Sequence, residues 1–319
     1  MFSFGGDLWR RRMSFLDCLE AVASLGPDQG VELIGAQAFR SYPEVSGQDA
    51  SEFRDWVERT GLVLVDYCTY LDRARSAART QSPLESLGIV EAEIGVAKRL
   101  GFPKVRINTA TPDLLEPLAR LAERHRTPLL VELAGEPRTD PETAVLVDAM
   151  VDLGSPLLGV IIDGSAFVRR VPEPWVAATL AGGVPAIALD TILESWLQQQ
   201  PVPETAQRLS ALSMTPLERE LATYALFTSR ALFRRGDVAG LYDLLPLLHH
   251  MQTKFFAADP GGADPCVPYD EIIPLLRGAG FGGRLHAEFE GGLWDPSLDT
   301  VAELRRHQGY LTRLWDSQD

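Results

Sequence analysis

His249-His250-Met251-Gln252-Thr253-Lys254-Phe255-Phe256, followed about thirty residues later by Leu285-His286-Ala287-Glu288-Phe289-Glu290-Gly291, decides the fold. Each stretch alternates apolar and polar residues with the two-residue period of a strand, so its polar members fall on one face. Upstream, Leu130-Val131-Glu132-Leu133-Ala134-Gly135-Glu136 and Gly159-Val160-Ile161-Ile162-Asp163-Gly164 each carry an apolar, β-rich run into a carboxylate. Side by side, four such strands bring two Glu, one Asp and a His or Gln to one point, a donor set for a hard divalent cation.

Working outward, segments 2–9, 30–35, 62–71, 104–108, 128–133, 157–163, 249–256 and 284–289 read as strands. Helical periodicity fills 15–25, 51–60, 87–100, 114–124, 142–153 and 269–276, and 297–315 closes the chain as a helix. Gly26, Gly61, Gly101, Gly154 and Gly280 each follow a last periodic turn, where a left-handed cap costs glycine little. Repeated βα units of this length predict an α/β protein, a (β/α)8 TIM barrel forming one domain over 1–319, with the carboxylates at the face where such barrels keep their sites. Gly278-x-Gly280-x-x-Gly283 matches a dinucleotide loop in letters only, because it follows a helix and precedes a strand. One connection is too long for a single helix: 171–245, between strands six and seven, reads as a helical insertion. It serves as a lid, as a surface for a partner, or as solvated decoration.

Of the 319 residues, 45 % are hydrophobic and 23 % charged, and the net charge of -14 leaves no positive footprint for nucleic acid or an anionic membrane. Cys18, Cys68 and Cys266 are odd in number and widely spaced, which argues against a disulfide framework or a zinc knuckle and favours the cytoplasm. The start carries its basic cluster, Arg10 to Arg12, after the apolar residues, unlike a signal peptide, and no run approaches the about eighteen apolar residues of a membrane span.

A carboxylate ending an apolar strand is costly to bury alone, so Glu132 and Asp163 are expected to be charge-paired, exposed or cation-bound. Glu288 is the expected ligand from the last strand, with Glu290 beside it as a substrate contact. His250, Gln252 and Lys254 share a strand face: His250 as an imidazole at the site, Gln252 as an amide-oxygen ligand, Lys254 as an oxyanion holder. Trp9, Asp66, Tyr70 and Phe167 fall near strand ends, where rings and carboxylates suit a polyhydroxylated ligand, or else core packing and capping. Five histidines are too few and too scattered for a zinc site of several His or a Ser-His-Asp arrangement.

On these residues the chain resembles the xylose-isomerase-like TIM barrels, the sugar isomerase and epimerase superfamily, and within it the large subunit of C-glycoside deglycosidases. The resemblance runs through Phe4-Gly5-x-x-Leu8-Trp9-Arg10-Arg11-Arg12-Met13-Ser14, Val131-Glu132, Asp163-Gly164-x-x-Phe167, His250-Met251-Gln252-Thr253-Lys254-Phe255 and Glu288-Phe289-Glu290-Gly291. It implies one divalent cation, manganese before magnesium, held by Glu, Asp, His and Glu. Glu132, Asp163 and Glu288 match that pattern, while Gln252 stands where the H-x-K-F pattern has its His, and Ala134 where a relative has another. The implied activity is proton abstraction beside a carbonyl of a sugar or oxo-sugar, with Glu132 or Glu288 as base and Lys254 at the oxyanion. The expected outcome is C–C cleavage of a 3-oxo-C-glycoside. Isomerisation or epimerisation is one alternative, and a non-catalytic or regulatory binding subunit that kept the barrel is another. The implied partners are a small-molecule sugar or glycoside and either a small second subunit or further copies of this chain.

Overall fold

Strands β1 (Gly30–Ile34) and β2 (Val63–Thr69) lead to a short antiparallel ribbon of β3 (Ala74–Ser76) and β4 (Arg79–Thr80). Then come β5 (Val105–Ile107), β6 (Leu129–Leu133), β7 (Leu158–Asp163), β8 (Leu248–Phe255) and β9 (Arg284–Phe289). The structure is a computed structural model and describes residues 2–71, 74–76 and 79–317. Its main sheet is parallel, in the order β1-β2-β5-β6-β7-β8-β9, and curls with its helices into a nearly closed TIM barrel. Alternation sorts the side chains. Val31, Leu33, Val105, Ile107, Leu129, Val131, Val160, Ile162 and Met251 join the main hydrophobic core. The intervening Glu32, Asp66, Arg106, Asp163, His250, Gln252 and Glu288 are equally buried but polar.

The expected strand at 2–9 is not one. Phe2–Phe4 is a 3-10 turn and Gly5–Trp9 a short helix, so seven main-sheet strands stand where eight were expected. The reason lies in close packing: a side chain at Gly6 would meet the Gly292 carbonyl oxygen at 2.5 Å, and Asp7 sits in the first helical turn, where the dipole favours a carboxylate. This segment reaches the β9 side of the seam between β9 and β1. Phe289 donates its N–H to Ser3 Oγ at 3.0 Å. Arg10 donates from Nη1 to the Gly292 carbonyl at 2.7 Å and from Nη2 to that of Leu293 at 2.9 Å.

The glycine punctuation read from sequence corresponds to left-handed backbone: Gly61, Gly101 and Gly154 cap their helices at φ of 70, 94 and 59°, and Gly26 and Gly280 also have positive φ. Helix starts are set by side chains. Ser82 with Glu85 and Thr215 with Glu218 form capping boxes ahead of Pro83 and Pro216.

Between β7 and β8 the chain forms helices Glu173–Ala181, Ala186–Leu197, Val202–Ser210 and Pro216–Leu232. They pack into the barrel's own core: Phe233 lies edge-on to Trp175 at 5.7 Å and to Phe256 at 5.5 Å, and Trp196 donates to the Phe233 carbonyl at 2.8 Å. The buried carboxylate of Glu136, just past β6, accepts from the N–H of Asp237 at 3.1 Å and of Arg138 at 2.7 Å, fixing the chain's return. No helix of the described residues is long and apolar enough to cross a membrane.

If Arg10 clamps the seam, Arg10→Ala lowers unfolding free energy by about 2 kcal/mol, the loss of two charge-assisted hydrogen bonds partly screened by solvent. Urea denaturation followed by circular dichroism measures it. A midpoint unchanged from wild type would remove Arg10 from the seam.

Candidate active site

Strand register stacks the polar side chains in two layers. Lys254 pairs across to Glu288, Gln252 to His286 and to Asp163, and Glu32 to Asp66. The layer nearer the carboxyl ends holds Glu132, Asp163, Lys254, Glu288 and Glu290. The layer below it holds Glu32, Asp66, Arg106, His250, Gln252 and His286.

In the first layer Lys254 is the hub. Its Nζ lies 2.7 Å from Asp163, 2.8 Å from Glu290 and 3.8 Å from Glu288. Burial works against its charge, but Asp163, Glu288 and Glu290 outweigh that and hold its pKa well above the ordinary value. Burial raises both partner carboxyls: Glu288 goes well above the carboxylate range even against Lys254, and Glu290 rises too. Glu132 is pushed up to about 7, mainly by burial, which exceeds the opposing pull of Arg106. A carboxyl at that value exchanges protons readily near neutrality.

Arg106 joins the layers, 2.6 Å from Glu132 and 2.9 Å from Glu32. Burial disfavours the Glu32 anion, yet Arg106 and the donors around it hold its pKa well below the usual range. Asp66 moves the other way, raised by burial and by the neighbouring Glu32. Gln252 donates from Nε2 to both Glu32 oxygens at 3.1 and 3.2 Å, while its Oε1 is buried without a hydrogen-bond partner. Glu288 Oε2 is bare in the same sense.

The expected site residues therefore separate. Glu132, Asp163, Lys254, Glu288 and Glu290 gather at the carboxyl ends, with Tyr70 just past β2 and 44 % exposed. His250 and Asp66, expected as substrate contacts, are 1 % and 0 % exposed in the layer below, and Phe167 is a core residue at 1 %. Trp9 ends a short helix instead of following a strand and is 85 % exposed. The structure does not draw Glu132, Asp163 and Glu288 to coordination spacing: Arg106 holds the first and Lys254 the other two. Among the described residues, the groups whose ligand atoms all lie within 4.8 Å of one another are Glu32 with His250 and His286, and Glu32 with Asp66 and Cys68. Sequence reasoning missed Glu32, Arg106 and His286. The signal was present as a lone charge inside an apolar run, Gly30-Val31-Glu32-Leu33-Ile34 and Val105-Arg106-Ile107.

Beside Glu132 opens a hollow of about 660 Å³ lined by Asn108, Thr111, Ala134, Asp140 and Arg234. Arg234, from the end of the inserted helices, pairs with Asp140, so the insertion forms part of the wall.

No family model matches the chain. It is 27 % identical to a C-glycoside deglycosidase alpha subunit of Microbacterium trichothecenolyticum over 92 % of this chain and 83 % of that one. It is 26 % identical to a 3'-dehydrocarminate deglycosidase alpha subunit of Microbacterium sp over 99 % and 94 %. Among solved structures, a D-psicose 3-epimerase in the presence of D-fructose superposes with a TM-score of 0.56 at 12 % identity, covering 96 % of this chain and 95 % of the other. A xylose isomerase-like TIM barrel protein from Mycobacterium smegmatis in complex with magnesium gives 0.53 at 16 %, covering 93 % and 87 %. The chain is thus similar over almost its whole length to enzymes named as C-glycoside deglycosidase alpha subunits, and its fold is the xylose-isomerase-like TIM barrel.

Proposed function

We propose that this chain is a metal-dependent C-glycoside deglycosidase-type lyase that cleaves the C–C bond between a 3-oxo sugar and its aglycone. The observation that carries this reading is the Lys254 ammonium among Asp163, Glu288 and Glu290, with the Glu132 carboxyl nearby at a pKa of about 7. In the reaction a carboxylate takes the proton from the carbon between the carbonyl and the aglycone-bearing carbon. The electron pair forms an enolate, then a C=C bond as the bond to the aglycone breaks, and the aglycone carbon takes up a proton. Atoms balance without an oxidant or a co-substrate. Glu132 is the base, since near neutral pH it has a substantial ionised fraction. Lys254, permanently charged, holds the enolate oxygen. The hollow beside Glu132 takes the aglycone, with Arg234 and Asn108 at its wall.

The residues present would fit a divalent cation once the Lys254 ammonium withdrew from Asp163 and Glu288. Gln252 Oε1 and Glu288 Oε2 are buried acceptors without hydrogen-bond partners, and oxygen donors suit hard cations. Glu132, Asp163, Gln252 and Glu288 would hold it, manganese before magnesium, and it would supply Lewis-acid polarisation of the substrate carbonyl. The relatives' name, alpha subunit, supports a second, small protein that completes the enzyme.

Turnover of 3-oxo-C-glycosides, assayed with manganese and with any small protein encoded beside this one, is expected to fall by about a hundred- to a thousand-fold in Lys254→Met. Glu288→Gln, which nearly preserves shape, is expected to lose on the order of a hundred- to ten-thousand-fold. Wild-type rates in either variant would remove that residue from the chemistry. A wild-type protein inactive on these substrates and on ketosugars, yet binding them, would favour a binding subunit instead, a reading to which Ala134 and Gln252 lend support. In calorimetric titration with manganese, Gln252→His should bind at least as tightly as wild type, because neutral imidazole is a stronger donor than an amide oxygen. Weaker binding would place Gln252 outside the coordination sphere.

A further inference from the structure

The layer below the proposed reaction site contains a second cluster that the chemistry above does not use. Glu32, Asp66, His250 and His286 come from β1, β2, β8 and β9, the two strands on either side of the seam where β1 and β9 are not sheet neighbours. His250 Nε2 lies 3.7 Å from Glu32 Oε2 and 3.3 Å from Asp66 Oδ2, and His286 Nδ1 lies 3.5 Å from Glu32 Oε2. These separations are too long for good hydrogen bonds. Accordingly, Asp66 Oδ2, His250 Nε2 and His286 Nδ1 are all buried without a hydrogen-bond partner, in a protein interior where such groups are costly. The Glu32–His250 and Glu32–His286 separations lie near the edge, about 3.4 Å, of a tetrahedron whose corners lie about 2.0–2.1 Å from a central zinc ion, and the ligand atoms of these three residues all lie within 4.8 Å of one another.

We infer that Glu32, His250 and His286 bind a zinc-class divalent cation that staples the barrel across its seam, with Asp66 beside His250 at its edge. Two imidazoles with one carboxylate, and a fourth position for water, select zinc or cobalt over the hard cations that an all-oxygen set prefers. The surroundings tolerate the ion: Arg106 engages Glu32 Oε1 at 2.9 Å, and Oε2 faces the two rings. Gln252 Nε2 donates to Oε2 at 3.2 Å. His286, at 18 % side-chain exposure, gives the cation a way in, whereas His250 and Asp66 are sealed. This site is independent of the reaction assigned to the layer above.

Cobalt(II) titration of the full chain tests it, since four-coordinate cobalt absorbs visible light far more strongly than six-coordinate cobalt. Wild type should develop an intense band saturating at one equivalent, and Glu288→Gln, which impairs the oxygen site above, should retain it. His286→Ala and the more conservative His286→Gln should lose it. In parallel, zinc should raise the thermal midpoint over EDTA-treated protein by on the order of 5 °C in wild type and in Glu288→Gln, but not in the His286 variants. Absence of the band in wild type, its survival in both His286 variants, or its disappearance in Glu288→Gln would overturn the site.

Discussion

Carboxylates placed inside a β-barrel have to be neutralised there, and in this protein two cations do it. Arg106 takes Glu32 and Glu132, and Lys254 takes Asp163, Glu288 and Glu290. An uncompensated buried charge costs about 3–5 kcal/mol, so these two side chains set which carboxyls remain ionised. Each cation sits on a strand beside or one strand away from those of its partners, and the alternation of the strands puts them on the same inner face. The same alternation turns Val105, Ile107, Met251 and Phe255 outward to the helices, so the charge network and the apolar core are built from one pattern.

The division into layers follows from where the partners stop. At the carboxyl ends, negative charge exceeds the charge of Lys254, and burial lifts Glu132, Glu288 and Glu290 towards protonation. That is the condition for proton transfer near neutral pH. One step down, Glu32 gathers Arg106 and Gln252 and remains ionised, while Asp66 beside it is pushed towards its neutral form. Gln252 spans the boundary, with its amide nitrogen committed below and its oxygen without a hydrogen-bond partner.

Much of this was legible from sequence, for identifiable reasons. The period-two alternation of β8 and β9 fixed both the strand type and the shared face of Gln252, Lys254 and Glu288, and glycine caps marked the helix ends at Gly61, Gly101 and Gly154. The first segment misled because its apolar residues, Phe2, Phe4 and Leu8, suit a strand locally, whereas close approach to Gly292 requires a helix there. Strand-end logic placed Glu132 and Asp163 at the site but could not rank depth: Asp66 and His250 looked like rim residues and lie beneath. Glu32 and Arg106 escaped because a single charge in a short strand reads as an edge or a cap until its partner on a nearby strand is known. That pairing, between residues more than seventy positions apart, comes from β1 and β5 flanking β2 in the folded sheet.

The central claim is that the layer at the carboxyl ends is a metal-dependent reaction centre. Anomalous scattering from crystals soaked in manganese examines it most directly. The account predicts one peak between Glu132, Asp163, Gln252 and Glu288, with the Lys254 ammonium withdrawn from Asp163. No peak there at saturating manganese, with Lys254 still seated between Asp163 and Glu290, would contradict it.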